Sequence, residues 1–352
     1  MQLIGIILLI VSAVIAITWY LKDGVLFLFN YSRLGFVIWS LGLGLYDLSI
    51  SGMYNPSLMI NIMSLIVIMN FGIISYILPS DIDKIFSCIN NIEKPNRRYS
   101  SLVFGTLCLG FLSFFVNLNA GNLRFFLKNT AVKTSISLSY FLNLMVIVSV
   151  FFYFLARESA KRMVKVLYFA LSGVSLFLIF CNMSRGPLMF WATAVLTFEI
   201  CRYVKKRKNK FLSIRQWVLL LLFGTLLVWG FGAMGDFRTV SIFKGGVTAH
   251  YKMPSNCPSG IAWIYVYLTS PLENMRYILE NETVNHYSWF NLLLYPIIKV
   301  FANMIGMGDQ YATYVEGFNE VYPYLKPKYG LNVSSFMADA YSDLGIAGII
   351  VY

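Results

Sequence analysis

Runs of about twenty apolar residues recur along this chain, at 3–20, 33–48, 57–78, 101–117, 136–156, 165–182, 186–202 and 217–234. A helix needs about that length to cross the hydrocarbon core of a bilayer, and it satisfies every backbone hydrogen bond on the way. The periodicity therefore predicts an all-α polytopic membrane protein with about nine or more transmembrane helices. Leu26–Phe29 can extend the second run, and a ninth begins near Leu344. It has only the nine residues 344–352, so the sequence reads as a chain cut short or a last segment half inserted. The first run lacks a basic start and a small-residue cleavage site, which marks a retained span rather than a signal peptide.

Composition agrees. Of the 352 residues, 58% are hydrophobic and 12% charged, half the charged share of an ordinary soluble domain, roughly 25%. The net charge of +12 is read as topology rather than as a nucleic-acid surface. Seventeen of the 28 Lys and Arg fall on one side if the N-terminus is outside, ending in the basic run 205–210. The positive-inside rule then places the long segment 235–343 outside. The domain reading is 1–234 for eight helices with short loops, 235–343 for one long extracytoplasmic loop, and 344–352 for the start of a further helix.

That long loop is where chemistry is expected, because every other connection is short. Within it 271–282 reads as a short helix. The nineteen residues 289–307 are long enough to cross, but Pro296 and Lys299 at their centre favour an interfacial or re-entrant helix. Of the five cysteines only Cys257 lies in the loop, so it closes no internal disulfide, and no metal-ligand spacing or cofactor motif occurs.

Two arginines are the first candidates. Arg185 in Ser184-Arg185-Gly186-Pro187 sits at a tight outer turn, and Arg238 in Gly235-Asp236-Phe237-Arg238 follows the eighth run. Guanidinium groups at the same membrane depth can fork onto a pyrophosphate. The plainer alternatives are lipid snorkelling for Arg185 and a local pair with Asp236 for Arg238. For a general base the outer side offers His250, His286, Asp309, Glu316, Asp339 and Asp343, with Asp236 beside the arginine. His286 stands next to Tyr287, Trp289 and Phe290, which suit a sugar. Arg276, Asn332, Ser335 and Asp343 complete the set of substrate-binding candidates. Asp81-Ile82-Asp83 imitates a metal-binding carboxylate pair, but on the cytoplasmic side it reads as a solvated helix start.

In this order Ser184-Arg185-Gly186, Gly235-Asp236-Phe237-Arg238, Gly330-Leu331-Asn332-Val333-Ser334-Ser335 and Tyr341-Ser342-Asp343-Leu344-Gly345-Ile346-Ala347-Gly348 resemble the bacterial oligosaccharide repeat-unit polymerases, the O-antigen polymerase (Wzy) family. The resemblance implies a metal-independent glycosyl transfer without cofactor, at the outer face of the plasma (inner) membrane. Donor and acceptor would be oligosaccharides on undecaprenyl pyrophosphate. It implies that Arg185 and Arg238 hold the donor pyrophosphate and, through the related ligases, that His286 lies near the acceptor. A chain-length regulator and a flippase are the partners such a pathway implies. The alternatives are a lipid-linked oligosaccharide flippase or other transporter, the ligase variant, and a membrane scaffold. Spans almost free of charge and the lack of a repeated half favour the enzyme over the transporter.

Overall fold

The computed structural model describes residues 1–77, 87, 100–119, 139–181, 185–207, 210–239, 243, 245–281, 289, 291, 294–321 and 336–351. Among these every regular element is a helix and no strand is present. In chain order they are α1 (Gln2–Asp23), a 3₁₀ turn (Gly24–Phe29), α2 (Tyr31–Asp47), α3 (Leu58–Ile77), α4 (Ser100–Asn119) and α5 (Ser139–Glu158). Then come α6 (Arg162–Cys181), α7 (Arg185–Arg207), α8 (Ile214–Thr239), α9 (Gly246–His250), α10 (Ser259–Asn281), α11 (Tyr295–Met304), α12 (Gly308–Val321), α13 (Phe336–Leu344) and α14 (Ile346–Val351).

Among the described residues five helices are long and apolar enough to cross a membrane, over Gln2–Phe29, Leu58–Ile77, Ser101–Leu118, Arg162–Cys181 and Ile214–Phe237. They coincide with five of the expected runs, and α2, α5 and α7 occupy the other three. The 3₁₀ turn does not lengthen α2. Asn30 separates them in an extended conformation, its side chain accepting from the Arg33 N–H at 3.1 Å, an ordinary N-cap. In α7 the apolar run stops at Glu199, which takes Arg157 of α5 through both of its oxygens (Nε 2.5 Å, Nη2 2.8 Å). Arg202, one turn on, reaches Glu158 at 3.4 Å.

By contact the chain divides differently from its hydropathy. Residues 1–81 and 247–352 form one unit, and 82–246 the other. In the second unit α5 packs against α4, α6 and α7, around Leu107, Leu142, Met145, Phe152 and Leu178. Ser149 and Ser172 exchange hydrogen bonds, each hydroxyl donating to the other's carbonyl at 2.8 Å. Small polar pairs of this kind draw helices together where lipid supplies no hydrophobic drive.

In the first unit α2 is central and packs on α1, α3 and α10. Glycines permit the α1–α2 approach. A Cβ on Gly5 would lie 2.7 Å from the Gly44 carbonyl oxygen and 2.9 Å from the Asp47 Cβ, and one on Gly44 would meet Leu9 at 2.8 Å. The obstacles at Gly5 include backbone, so they cannot rotate aside. Gly5→Val is expected to cost about 1–3 kcal/mol, read as a lowered melting temperature of the detergent-solubilised protein. Gly224→Ala, where nothing lies within 4 Å, is the neutral control.

The segment read as a helix over 271–282 is a much longer one, α10, with Pro271 inside it. Proline at a first turn and within a helix leave similar local traces. Burial decides, since Ala262, Trp263 and Val266 before Pro271 and Leu272 and Met275 after it are all at most 2% exposed, so both sides of the proline are packed. At the other end Gly345 (φ 63°) reverses the chain after α13, its N–H bonded to the Tyr341 carbonyl at 2.8 Å. A Cβ on Gly348 would fall 1.9 Å from the Ala340 carbonyl oxygen. The Gly-Ile-Ala-Gly stretch thus has a packing reason: one glycine turns and the other lets α14 close on α13.

Candidate functional site

Glu273, Arg276 and Glu280 are spaced three and four residues apart on α10 and so share one face, which Tyr46 of α2 meets. The Tyr46 hydroxyl donates to Glu273 Oε2 at 2.8 Å, and the Asn55 backbone N–H donates to the same oxygen at 3.4 Å. Arg276 covers both oxygens, Nε at 3.1 Å from each and Nη2 at 2.6 Å from Oε1. Its Nη1 donates to the half-exposed Glu280. Exposure is 0% at Tyr46, 1% at Glu273 and 8% at Arg276, so these are charges taken out of water together.

Around them lies a tyrosine cage. The Tyr54 ring stands 6.1 Å from Tyr46, 6.3 Å from Tyr251 and 5.9 Å from Tyr265, stacked on the last. Residues 48–57 are tied to the next loop by Ser51 Oγ donating to the Tyr251 carbonyl at 2.6 Å and by Gly52 N–H donating to the Lys252 carbonyl at 3.1 Å. Burial pushes the Tyr265 hydroxyl up to about 12 and raises Tyr54 and Tyr251 as well. All three are neutral at physiological pH. The hydrogen bonds it donates to Glu273 raise the Arg276 guanidinium above its ordinary value, against the opposing effect of burial. Glu273, with both oxygens engaged, is an anchor rather than a proton acceptor. Glu280, at the solvent edge, is the partner of Arg276 that a ligand anion can exchange.

The sequence candidates fall into two groups. In the 82–246 unit Arg185 is the first residue of α7, while Asp236 (half-buried) and Arg238 lie in the last turn of α8. The connection 208–213 joins the other ends of those helices, so both arginines stand at ends remote from it. In the other unit are Arg276, in the network above, and Asp343. The latter is fully buried near the end of α13, and its carbonyl accepts the Trp289 N–H at 3.1 Å. His250 ends α9 with its ring 4.9 Å from Tyr251, and Asp309 stands in the first turn of α12. His286, Asn332, Ser335 and the Asp81/Asp83 pair lie outside the described residues. Among the described residues no group of three or more His, Cys, Asp or Glu side chains can hold a metal ion.

Two residues went unnoticed in the sequence. Glu273 carried a usable signal, since two carboxylates flank Arg276 at helical spacing on an otherwise apolar stretch. Asp47 carried none. It ends α2 with 0% exposure, and its carboxylate is buried with the Asn61 side chain and the Met1 amine as its polar neighbours among the described residues. Among the described residues the buried hydroxyls of Ser12 on α1, Ser40 on α2 and Ser64 on α3 have no hydrogen-bond partner.

Comparison with protein-family models, with curated proteins and with solved structures finds no match in any of the three.

Proposed function

We propose that this protein is a glycosyltransferase of the bacterial plasma membrane. It polymerises oligosaccharide repeat units carried on undecaprenyl pyrophosphate into O-antigen or capsular polysaccharide at the outer face. The observation that supports this most is the placing of Arg185 and Arg238. They terminate consecutive helices at the ends away from the short connection, so two crossings of the bilayer bring both to the same side. In this reading the chain crosses nine or more times, with the long polar segment outside. The guanidinium groups fork onto the donor pyrophosphate and neutralise the charge that develops on it. The acceptor hydroxyl oxygen attacks C1 of the donor sugar, and the C1–O bond to pyrophosphate breaks. Undecaprenyl pyrophosphate leaves with the electron pair, and the hydroxyl proton passes to Asp236 or His286. A single displacement inverts the anomeric centre. The energy is already in the lipid-linked donor, so neither metal nor cofactor is called for. Arg276, Asn332, Ser335 and Asp343 are proposed as further substrate contacts.

Deleting the gene in its native host tests the reading. The expected result is surface glycan of single repeat units, restored to long chains by the wild-type gene. Loss of all surface glycan with stranded lipid-linked units means a flippase instead, and long polymer left on undecaprenyl pyrophosphate means a ligase. One observation favours the transporter alternative. A buried carboxylate in a membrane bundle is the kind of residue that carries ions or protons, and Asp47 is one.

A further inference from the structure

We infer that α11 lies flat in the membrane, its apolar face inserted among the acyl chains of the leaflet on the side of residues 247–352. The helix has ten residues, about 15 Å of length, half of the roughly 30 Å hydrocarbon core. It does not cross. Its apolar side chains nevertheless face outward at helical spacing: Ile297 57%, Val300 51%, Phe301 63% and Met304 75% exposed, with Ile305 71% just beyond. These positions form one stripe, and no charge falls on it.

The opposite face is engaged. Ala302 is buried, and α11 packs on α12. Lys299 donates to the Tyr295 hydroxyl at 2.7 Å, with its ammonium 5.0 Å from that ring's centroid. Tyr295 stacks on Tyr311 at 5.8 Å, and Tyr311 donates to Asn291 Oδ1 at 3.2 Å. Lysine and tyrosine on one side of an apolar stripe are the composition of a helix at a water–lipid boundary.

Three contacts link this region in series to a membrane-length helix of the same unit. The Trp289 N–H, six residues before α11, bonds to the Asp343 carbonyl of α13. α13 packs on α14, and α14 packs on α3, the span Leu58–Ile77. The stripe and α3 thus belong to one compact unit, and lipid is the occupant that an exposed apolar stripe flanked by lysine and tyrosine calls for.

Single cysteines at Val300, Met304 and Asn303 test this. Each is labelled with an environment-sensitive fluorophore, in protein whose five cysteines are replaced, and reconstituted in phosphatidylcholine–phosphatidylglycerol vesicles. Expected is quenching by doxyl-labelled lipid about threefold greater than by aqueous iodide at 300 and 304, and the reverse at exposed, polar Asn303. Iodide quenching at all three would overturn the inference, placing the stripe in water. Protection from both quenchers would overturn it in favour of a second copy or another protein. Lipid quenching at all three would overturn it in favour of a fully immersed segment. If the substituted protein does not fold, a photo-crosslinking amino acid at Met304 in the otherwise unaltered chain reads the same alternatives from the mass of the adduct.

Discussion

Arg185→Ala and Arg238→Ala, each supplied to cells lacking the native gene, are expected to yield single-repeat surface glycan while the protein accumulates in the membrane at normal level. A donor lost from a preorganised anion site costs about 10²–10³ in rate, roughly 3–4 kcal/mol, enough to abolish long chains on a gel. Lysine at either position keeps the charge but loses the planar two-pronged donor. Arg185→Lys is therefore expected to retain partial activity, about tenfold down. A merely structural arginine would show its loss in protein abundance, not in chain length at constant abundance. If both groups grip one pyrophosphate, the double alanine variant is worse than either single by much less than the product of their effects, because groups acting as a unit are not additive. Full rescue by both alanine variants would end the clamp.

How much of this was legible beforehand depends on what each residue answers to. Membrane-length helices follow from hydropathy alone, so Leu58–Ile77 and Arg162–Cys181 are where the sequence puts them. The α11 segment was legible as apolar enough to span yet interrupted by Pro296 and Lys299, which favoured an interfacial or re-entrant helix; the helix found there has ten residues. Long-range partners were not legible. Nothing near Tyr46 announces Glu273, 227 positions away, and nothing in the local pattern joins the N-terminal helices to residues 247–352 rather than to the helices between. Arg185 and Arg238 were readable because helix ends are local features, whereas the burial that makes Arg276 and Asp343 what they are is not.

Glu273→Ala is expected to be the most destabilising of the single changes in the α2–α10 interface, by about 3–5 kcal/mol. It leaves the Arg276 guanidinium buried with only a half-exposed carboxylate, and strips the Tyr46 hydroxyl of its acceptor. Arg276→Ala should cost a similar amount by stranding Glu273. Glu280→Gln, whose partner it meets at the solvent edge, should cost about 1 kcal/mol or less. Tyr46→Phe removes one hydrogen bond to a charged group, about 1.5–3 kcal/mol. Melting curves of the solubilised protein would show the order Glu273→Ala, then Tyr46→Phe, then Glu280→Gln. The instructive variant changes both charges at once. Glu273→Leu with Arg276→Met leaves no unpaired ion, so it should recover much of the loss, as a buried pair does when replaced by apolar side chains of similar volume. If this double variant is stable and still supports long chains, the network serves only to hold α10 on α2. If it is stable but chains shorten while Arg185 and Arg238 are intact, Arg276 has a second role, and its exchangeable edge at Glu280 is where the substrate's anionic group meets it.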